Sequence, residues 1–291
     1  MPSGLVLRAC RPTCVASQPD GGIVVSEAWS HRVRVFDRTG REKAVIGSAG
    51  REPGLMIYPS GVAVDQSGHI FVVDSGNHRV QKLSVHGEAI CSVGSAGSGD
   101  GQFGNPKTIV LASNNLVVIS DAGNHRLTVF DKELRWQRHI GSGTEGASDS
   151  QFNTPEGLAV WQGRGRFASP LLFVADSENH RVQVLSLPSG KFVRSIGGKG
   201  EGSRPGEFAL PGGVAVDASR ERLLVSECRG RRVQLLSLRG EPLQLVWLPR
   251  SGAASRLPVL RSVCCSVDED GRAYVCDFAN HRVAILRLLE P

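Results

Sequence analysis

Aromatic residues and long apolar runs are both scarce in this chain of 291 residues. Each shortage restricts the class of protein to which the chain can belong. Phe, Trp and Tyr together make up 5% of the sequence, so a core must consist mainly of Val, Ile, Leu and Ala. No stretch reaches the roughly 18 to 20 apolar residues that a membrane helix requires. Residues 1–13 contain arginines and prolines and lack the apolar block of a secretory signal. We therefore expect a soluble, cytoplasmic chain with no membrane partner.

Paired cysteine motifs are missing as well. The seven cysteines are an odd number and contain no CxxC pair, which argues against a disulfide framework and against a zinc site. Cys264 and Cys265 are adjacent, so they point to opposite faces if they lie in a strand. This orientation suits buried free thiols better than a disulfide framework. The glycine-rich segment 94–101 lacks the Gly-Lys-Ser/Thr ending of a phosphate loop. The sequence thus predicts neither a metal nor a cofactor.

What the chain does contain is an internal repeat of eight residues. Its copies are Asp74-Ser-Gly-Asn-His-Arg-Val-Gln81, Asp121-Ala-Gly-Asn-His-Arg-Leu-Thr128, Asp176-Ser-Glu-Asn-His-Arg-Val-Gln183 and Asp277-Phe-Ala-Asn-His-Arg-Val-Ala284, with weaker copies Glu27-Ala-Trp-Ser-His-Arg-Val-Arg34 and Glu227-Cys-Arg-Gly-Arg-Arg-Val-Gln234. The fifth residue of each copy falls at 31, 78, 125, 180, 231 and 281, so the spacings are 47, 47, 55, 51 and 50 residues. Spacing of this size is typical of propeller blades.

Four strands can be predicted within one period. Residues 61–65 (GVAVD) alternate small and apolar side chains and suit an innermost strand. Residues 70–73 (IFVV) form a continuous β-branched and aromatic run, as expected for a strand that is buried on both faces. Residues 80–84 alternate again, and residues 89–93 form the outer strand after a turn at Gly87. Each period therefore predicts one four-stranded blade.

A Phe-x-x-Pro segment precedes each of several blades. It occurs at Phe103–Pro106, Phe152–Pro155 and Phe208–Pro211, with a variant at Met56–Pro59. Six such sheets can bury their faces only by packing radially and closing a ring. The sequence predicts an all-β, six-bladed β-propeller that forms a single domain. Its predicted blades span residues 12–50, 59–97, 106–144, 155–200, 211–250 and 258–291, with residues 3–8 as a candidate closing strand.

The Asn-His-Arg signature, the Gly-Val-Ala-Val-Asp strand and the Phe-x-x-Pro segment together resemble the NHL-repeat family over essentially the whole chain. The Trp-Asp ending of WD40 blades is absent. Blade one has Ser30 in place of Asn, and blade five has Gly230 and Arg231 in place of Asn-His. We expect this divergence to remove hydrogen-bonding partners from two turns without affecting the fold.

The repeated polar residues are predicted to be structural, because an active site is usually unique whereas this set recurs in nearly every blade. The acid would close the turn by accepting backbone N–H bonds, and the arginine would bind loop carbonyls. These structural positions are Asp74, Asn77, His78, Arg79, Asp121, His125, Arg126, Asp176, His180, Arg181, Asp277, His281 and Arg282. Histidines on separate blades are too far apart to share one ion. We expect no catalytic residues and no enzyme, although some lyases on a related propeller do hold metals through histidine.

Three substitutions in the repeat mark a candidate partner-binding surface. Trp29 and Arg229 replace the glycine at position 76, and Phe278 replaces the serine at position 75. Exposed aromatics among arginines are typical of binding hot spots and of single-stranded RNA platforms. The alternative is that both aromatic rings merely fill gaps in local packing. Nearby arginines predicted to join this surface are Arg204, Arg231 and Arg256.

The way in which the ring closes and the resemblance to NHL proteins both lead to expectations about function. Blade six ends at Pro291 after its third strand, so residues 3–8 would have to supply its outer strand through an abbreviated loop. This suggests a chain that begins partway through a longer protein. NHL propellers resemble the C-terminal part of RING and tripartite-motif ubiquitin ligases, where the propeller selects the substrate. The sequence itself contains no RING-type spacing of Cys and His.

The sequence therefore favours a non-enzymatic platform for a protein partner, plausibly a substrate-recognition module in ubiquitin-related regulation. RNA binding is the first alternative, because the net charge is +6. A metal-dependent lyase is the second. The charge of the candidate face would separate protein from RNA, but four glutamates share that face with the arginines: Glu27, Glu178, Glu207 and Glu227.

Overall fold

The computed structural model describes residues 6–112, 115–163, 169–198, 200–229, 232–247 and 264–288. These residues form six four-stranded antiparallel sheets. Blades one to three contain β2 (Pro12–Ser17), β3 (Ile23–Glu27), β4 (Arg32–Phe36) and β5 (Glu42–Ile46); β6 (Pro59–Val64), β7 (Ile70–Asp74), β8 (Arg79–Leu83) and β9 (Ala89–Val93); and β10 (Pro106–Leu111), β11 (Leu116–Asp121), β12 (Arg126–Asp131) and β13 (Trp136–Ile140).

Blades four to six repeat the same order. They contain β14 (Pro155–Trp161), β15 (Leu171–Asp176), β16 (Arg181–Ser186) and β17 (Phe192–Gly197); β18 (Pro211–Asp217), β19 (Arg222–Glu227), β20 (Arg232–Ser237) and β21 (Pro242–Trp247); and β22 (Cys265–Val267), β23 (Arg272–Asp277), β24 (Arg282–Arg287) and β1 (Val6–Arg8). The predicted six-bladed, all-β propeller is confirmed. No helix in the described ranges is long and apolar enough to cross a bilayer.

The position of each strand follows from its side chains. Second strands such as β7 are buried along their whole length, as their continuous apolar runs predicted. Outer strands such as β5 and β9 are half-exposed and carry polar residues. Innermost strands approach each other around the axis, and a Cβ added at Gly157 would lie 2.6 Å from the carbonyl oxygen of Gly212 in the next blade. Small residues are therefore required where the blades converge.

The core is divided among the six interfaces between neighbouring blades, and each buried apolar cluster joins two blades. The Phe-x-x-Pro segments and their variant at Met56–Pro59, here called entry segments, each place their first side chain in one of these interfaces. These side chains, Met56, Phe103, Phe152 and Phe208, are fully buried. The Phe-x-x-Pro segment is thus the packing link between consecutive blades. A blade cannot bury both of its faces without its neighbours, so the ring is stable only when it is closed.

Closure takes place in blade six, where β1 pairs with β24. Val6 lies opposite Ala284, Leu7 opposite Val283 and Arg8 opposite Arg282. The N–H of Ala9 extends this pairing by donating to the carbonyl of His281 at 3.0 Å. The first and last described strands therefore share one sheet, and the backbone seam between them is only three residues long.

Candidate functional site

One face of the ring is built from short turns between the second and third strands. In five blades the turn is a single 3-10 turn, at Ala28–Ser30, Ser75–Asn77, Ala122–Asn124, Ser177–Asn179 and Phe278–Asn280. The histidine that follows each turn has a left-handed backbone, with φ between 48° and 53°. Histidine tolerates this conformation better than most residues. The repeated histidine therefore ends the turn before the third strand begins.

The repeated acid organises the turn from below. In blade two, Asp74 is fully buried, and its Oδ1 accepts the backbone N–H of Ile57 at 2.7 Å. Its Oδ2 accepts Nδ2 of Asn77 and Nε of Arg79, both at 2.8 Å. Arg79 then donates through Nη2 to the carbonyl of Leu55 at 2.9 Å. The acid and the arginine thus connect the entry segment of a blade to the turn between the second and third strands of the same blade.

Every blade contains this ion pair. The pairs are Glu27–Arg32, Asp74–Arg79, Asp121–Arg126, Asp176–Arg181, Glu227–Arg232 and Asp277–Arg282. All six acids are fully buried. Because this pair of acid and arginine recurs in every blade and its polar atoms bind the entry loops, no single pair stands out as a reactive site. This arrangement suits a structural role.

The Asp-Ser-His triplet of blade two is not arranged as a catalytic triad. Ser75 Oγ donates to the carbonyl of Pro106 at 2.6 Å. His78 Nδ1 lies 3.1 Å from the carbonyl oxygen of Phe103 instead. Nucleophile and base must be hydrogen-bonded to each other for activation, and these two side chains are directed to different carbonyls. Among the described residues, no group of three or more His, Cys, Asp or Glu side chains could hold a metal ion.

In blades one and five, where Ser30 and Gly230 stand in place of the asparagine, the acid keeps the other partners that its counterparts have. Glu27 receives the N–H of Cys10 at 2.7 Å and Nη1 of Arg34 at 3.0 Å, in addition to Arg32. Glu227 likewise receives the N–H of Ala209 at 2.8 Å and Nε2 of a glutamine, residue 234, at 2.8 Å. These donors hold the repeat positions that Ile57, Arg79 and Gln81 hold around Asp74, so they are the usual partners of the acid and not substitutes for the asparagine, which donates to Asp74 as well.

The repeated histidines also join neighbouring blades, which the sequence did not indicate. Nδ1 of His31 accepts the N–H of Tyr58 at 3.1 Å. Nδ1 of His125 accepts the N–H of Thr154, and Nδ1 of His180 accepts that of Leu210, both at 3.2 Å. Each donor precedes the entry proline of the next blade. The histidine ring is therefore a contact between consecutive blades and is not available as a metal ligand through that nitrogen.

Replacing His125 with alanine is expected to lower the free energy of unfolding by about 1 kcal/mol, because one partly buried inter-blade hydrogen bond is lost. Urea denaturation measures the change. His86→Ala is the matched control, since His86 is exposed and its substitution should change the free energy by less than about 0.5 kcal/mol. Equal losses in the two variants would show that the inter-blade bond contributes nothing.

Two of the predicted site residues, Trp29 and Phe278, are brought together by a third that the sequence did not single out. The guanidinium carbon of Arg11 lies 3.8 Å from the ring centroid of Trp29 and 5.4 Å from that of Phe278. Trp29 is 58% exposed, so its ring does not fill an internal gap. Two residues after Trp29, the ring of His31 lies 4.8 Å from that of Tyr58, which precedes the first strand of blade two. We call Arg11, Trp29, His31, Tyr58 and Phe278 the aromatic sector; it spans blades six, one and two.

Arg11 and Tyr58 occupy the same place in the repeat, directly before an entry proline. Both have a left-handed backbone, with φ of 50° and 49°. Thr154 and Leu210 share that position and conformation, with φ of 54° and 53°. The Phe-x-x-Pro segment could have identified this position as a second ring of variable side chains on the same face. The eight-residue repeat does not include this position, and its side chain differs from blade to blade.

The predicted arginines do not all join the aromatic sector. Arg229 is exposed and forms an ion pair with Glu201, Nη1 to Oε2, at 2.9 Å. Arg204 is exposed, and its backbone N–H donates to Glu207 at 3.1 Å. Arg231 and Arg256 lie outside the described residues. The aromatic sector therefore covers blades six, one and two, whereas Arg204 and Arg229 on blade five stay predicted members of the binding surface.

The charge of this face is more balanced than its composition implies. Glu27 and Glu227 are buried in ion pairs and contribute no surface carboxylate. Glu178 is exposed at the turn of blade four, and Glu207 is half-buried. The arginine partners Arg181 and Arg232 are buried too. Most of the charge of the repeat is thus internal, and the exposed remainder contains both signs.

Comparison with known proteins agrees with this architecture. The NHL repeat pattern matches residues 56–83 and 103–130, and a family described as a 6-bladed beta-propeller matches residues 163–285. The RING finger protein nhl-1 of Caenorhabditis elegans is 38% identical over 85 residues, which is 29% of this chain and 8% of that protein. The match thus spans less than a tenth of the length of that relative.

Solved structures with the same fold have very different sequences. Hydrazine synthase of Kuenenia stuttgartiensis superposes with a TM-score of 0.63 at 13% identity, covering 96% of both chains. A streptogramin B lyase gives 0.62 at 12%, covering 96% of this chain and 95% of that one. Virginiamycin B lyase of Staphylococcus aureus gives 0.62 at 10%, covering 99% and 89%. These likenesses concern the fold alone. This chain is therefore a six-bladed β-propeller that contains NHL repeats at residues 56–83 and 103–130.

Proposed function

We propose that the chain is a non-enzymatic recognition propeller that binds a protein partner through the aromatic sector. The observation that carries this proposal is the stack of Arg11 between Trp29 and Phe278 on an open face. Aromatic and arginine side chains dominate the energetics of protein interfaces, because they bury a large area with few rotatable bonds. The mixed charges around the sector supply a polar rim.

The balance of charge favours protein over RNA. Affinity for a phosphate backbone depends on arginines and lysines that are free to release counterions. On this face, Arg229 is paired with Glu201, and each repeat arginine is paired with the fully buried acid of its own turn. The exposed Glu178 would repel a polyanion. The stacked aromatic rings remain compatible with nucleobases, so RNA binding is the alternative that the experiment must distinguish.

Within this proposal, the partner is a substrate or a scaffold in ubiquitin-related regulation. The likeness to a RING finger protein supports this role, although it covers 85 residues only. The sequence lacks RING-type metal-ligand spacing, so ligase chemistry would have to come from a partner or from further sequence.

The test compares proteins retained from a cell extract by the wild-type chain and by two tryptophan variants. Trp29→Ala should lower retention of the partner at least about 30-fold, because loss of a hot-spot side chain costs about 2 kcal/mol or more. Trp247→Ala is the matched control, since Trp247 is 62% exposed on an outer strand of blade five, and it should retain the partner like wild type.

The same three chains and an Arg229→Glu variant are titrated with a randomised single-stranded RNA pool across a salt series. We expect negligible binding near physiological salt. Tight binding that weakens steeply with salt and is lost in Arg229→Glu would replace the protein proposal by RNA recognition. Equal retention of every captured protein by the Trp29 and Trp247 variants would show that the aromatic sector is not the binding surface.

A further inference from the structure

Two cysteines from opposite ends of the chain meet at the seam where the ring closes. Cys14 lies in β2, the innermost strand of blade one, and Cys264 lies directly before β22, the innermost strand of blade six. Their Sγ atoms are 2.8 Å apart, although 250 residues separate them in the sequence. A disulfide requires about 2.0 Å between sulfurs, so a movement of less than about 1 Å would join them.

The neighbouring cysteine does not compete for this contact. Cys265 is directed towards blade five, where Ser226 donates to its sulfur and the sulfur approaches the carbonyl of Leu224, both at 3.9 Å. Cys264 and Cys265 thus point to opposite sides of the strand, as expected for adjacent strand residues. Of the two, Cys264 faces Cys14.

The pair is open to small molecules through the central channel. A cavity of about 270 Å³ is lined by the innermost strands, including Cys14, Cys264 and the hydroxyl-bearing Ser17 and Ser266. Cys14 is buried, whereas Cys264 is partly exposed. A molecule in the channel would therefore reach Cys264 first, with Cys14 behind it as the second thiol.

The two thiols differ in acidity because one donates to the other. The hydrogen bond from Cys14 lowers the pKa of Cys264, since it stabilises the thiolate. The same bond, together with burial, raises the pKa of Cys14. This asymmetry supplies a reactive sulfur beside a resolving thiol, the arrangement found in redox-sensitive cysteine pairs.

We propose that Cys14 and Cys264 are a redox modification site, which a peroxide in the channel converts to a disulfide that covalently closes the propeller ring. This inference is independent of the proposed protein binding. It concerns the contact on the axis side of blades one and six, whereas the strand pairing between the two ends, β1 with β24, lies at the outer edge and is three residues long within the described residues.

The reaction is balanced with hydrogen peroxide as the oxidant. The Cys264 thiolate attacks one peroxide oxygen, the O–O bond breaks, and hydroxide leaves, so that Cys264 becomes a sulfenic acid. Cys14 then attacks the Cys264 sulfur, the S–O bond breaks, and the S–S bond forms. The two thiol protons end on the two released waters. A thiol reductant reverses the modification by disulfide exchange.

The experiment treats the reduced, full chain with hydrogen peroxide and digests it without reduction. Mass spectrometry should detect one dominant cross-linked peptide pair, which joins Cys14 to Cys264, and titration should show the loss of two free thiols. The cross-link should form at least about ten-fold faster in the folded chain than in chain unfolded in urea, because the fold holds the sulfurs in contact. Dithiothreitol should restore both thiols.

Matched variants separate this pair from general cysteine oxidation. Cys14→Ser and Cys264→Ser should each abolish the cross-link, whereas Cys10→Ser should leave it unchanged, because Cys10 is an exposed cysteine outside the pair. Circular dichroism of each reduced variant checks that the propeller has folded. The proposal is overturned if the folded wild-type chain loses thiols without the Cys14–Cys264 peptide, or if the cross-link forms no faster when folded than when unfolded.

Discussion

Replacing Asp176 with alanine is expected to lower the free energy of unfolding by about 3 to 5 kcal/mol, because it leaves a buried charge without its partner. Asp176 is fully buried and accepts the N–H of Asn153 at 2.7 Å, Nε of Arg181 at 2.7 Å and Nε2 of Gln183 at 3.0 Å. Nδ2 of Asn179 also donates to it, at 2.9 Å, so four donors would lose an acceptor, and Arg181 is almost completely removed from solvent. The penalty arises from desolvated donors more than from the pair's own attraction.

Urea denaturation of Asp176→Ala and of the exposed control Asp149→Ala measures this prediction. The control should change the free energy by less than about 0.5 kcal/mol. The double variant Asp176→Ala with Arg181→Met should recover part of the loss, because the uncompensated charge is then gone. If the double variant loses more free energy of unfolding than its two single substitutions lose together, the uncompensated buried charge is not the cause.

The second large effect is expected at an entry segment: Phe208→Ala should cost about 3 to 5 kcal/mol through lost burial and a residual cavity. Phe208 is fully buried in the interface between blades four and five, among residues that include Val182 and Val214. Its ring rests on Gly197, where φ is 75° and an added Cβ would lie 2.7 Å from Phe208 Cδ2. Gly197 thus gives the ring both the backbone turn and the space that it needs.

Thermal and urea unfolding of Phe208→Ala would be compared with Val193→Ala, which truncates a half-exposed side chain on the outer strand of blade four. We expect a change of less than about 0.5 kcal/mol for the control. Gly197→Ala should also destabilise the chain, because the methyl group collides with the ring. Similar stability of the Phe208 and Val193 variants would show that the entry ring does not hold the two blades together.

The blade pattern could be predicted because local rules and the repeat agree. The apolar run at 70–73 and the alternation at 80–84 correspond to β7 (Ile70–Asp74) and β8 (Arg79–Leu83) within one residue. The period of about 50 residues, together with the inability of one blade to bury both faces, then determines a ring. Each of these inferences depends on residues that are close together in the sequence.

The site was harder to predict because its contacts cross blades. Trp29 and Phe278 were found as departures from the repeat, but their connection through Arg11 depends on ring closure, which brings blade six beside blade one. The contact between Cys14 and Cys264 has the same origin. The surface charge was also misjudged for Glu27 and Glu227, since composition does not show which carboxylates are buried.

The pairing of β1 with β24 has a mechanical consequence. The strands are antiparallel, so Val6 and Arg287 lie at the same end of the pair, away from the turn at Arg282. Tension applied between these two ends would pull the strands apart from that end and break the backbone bonds one after another, as in a zipper. A strand pulled along its length would instead load all of its bonds at once. Under force, this ring would open first at its seam, and the blades would then unravel in order from the two ends of the chain.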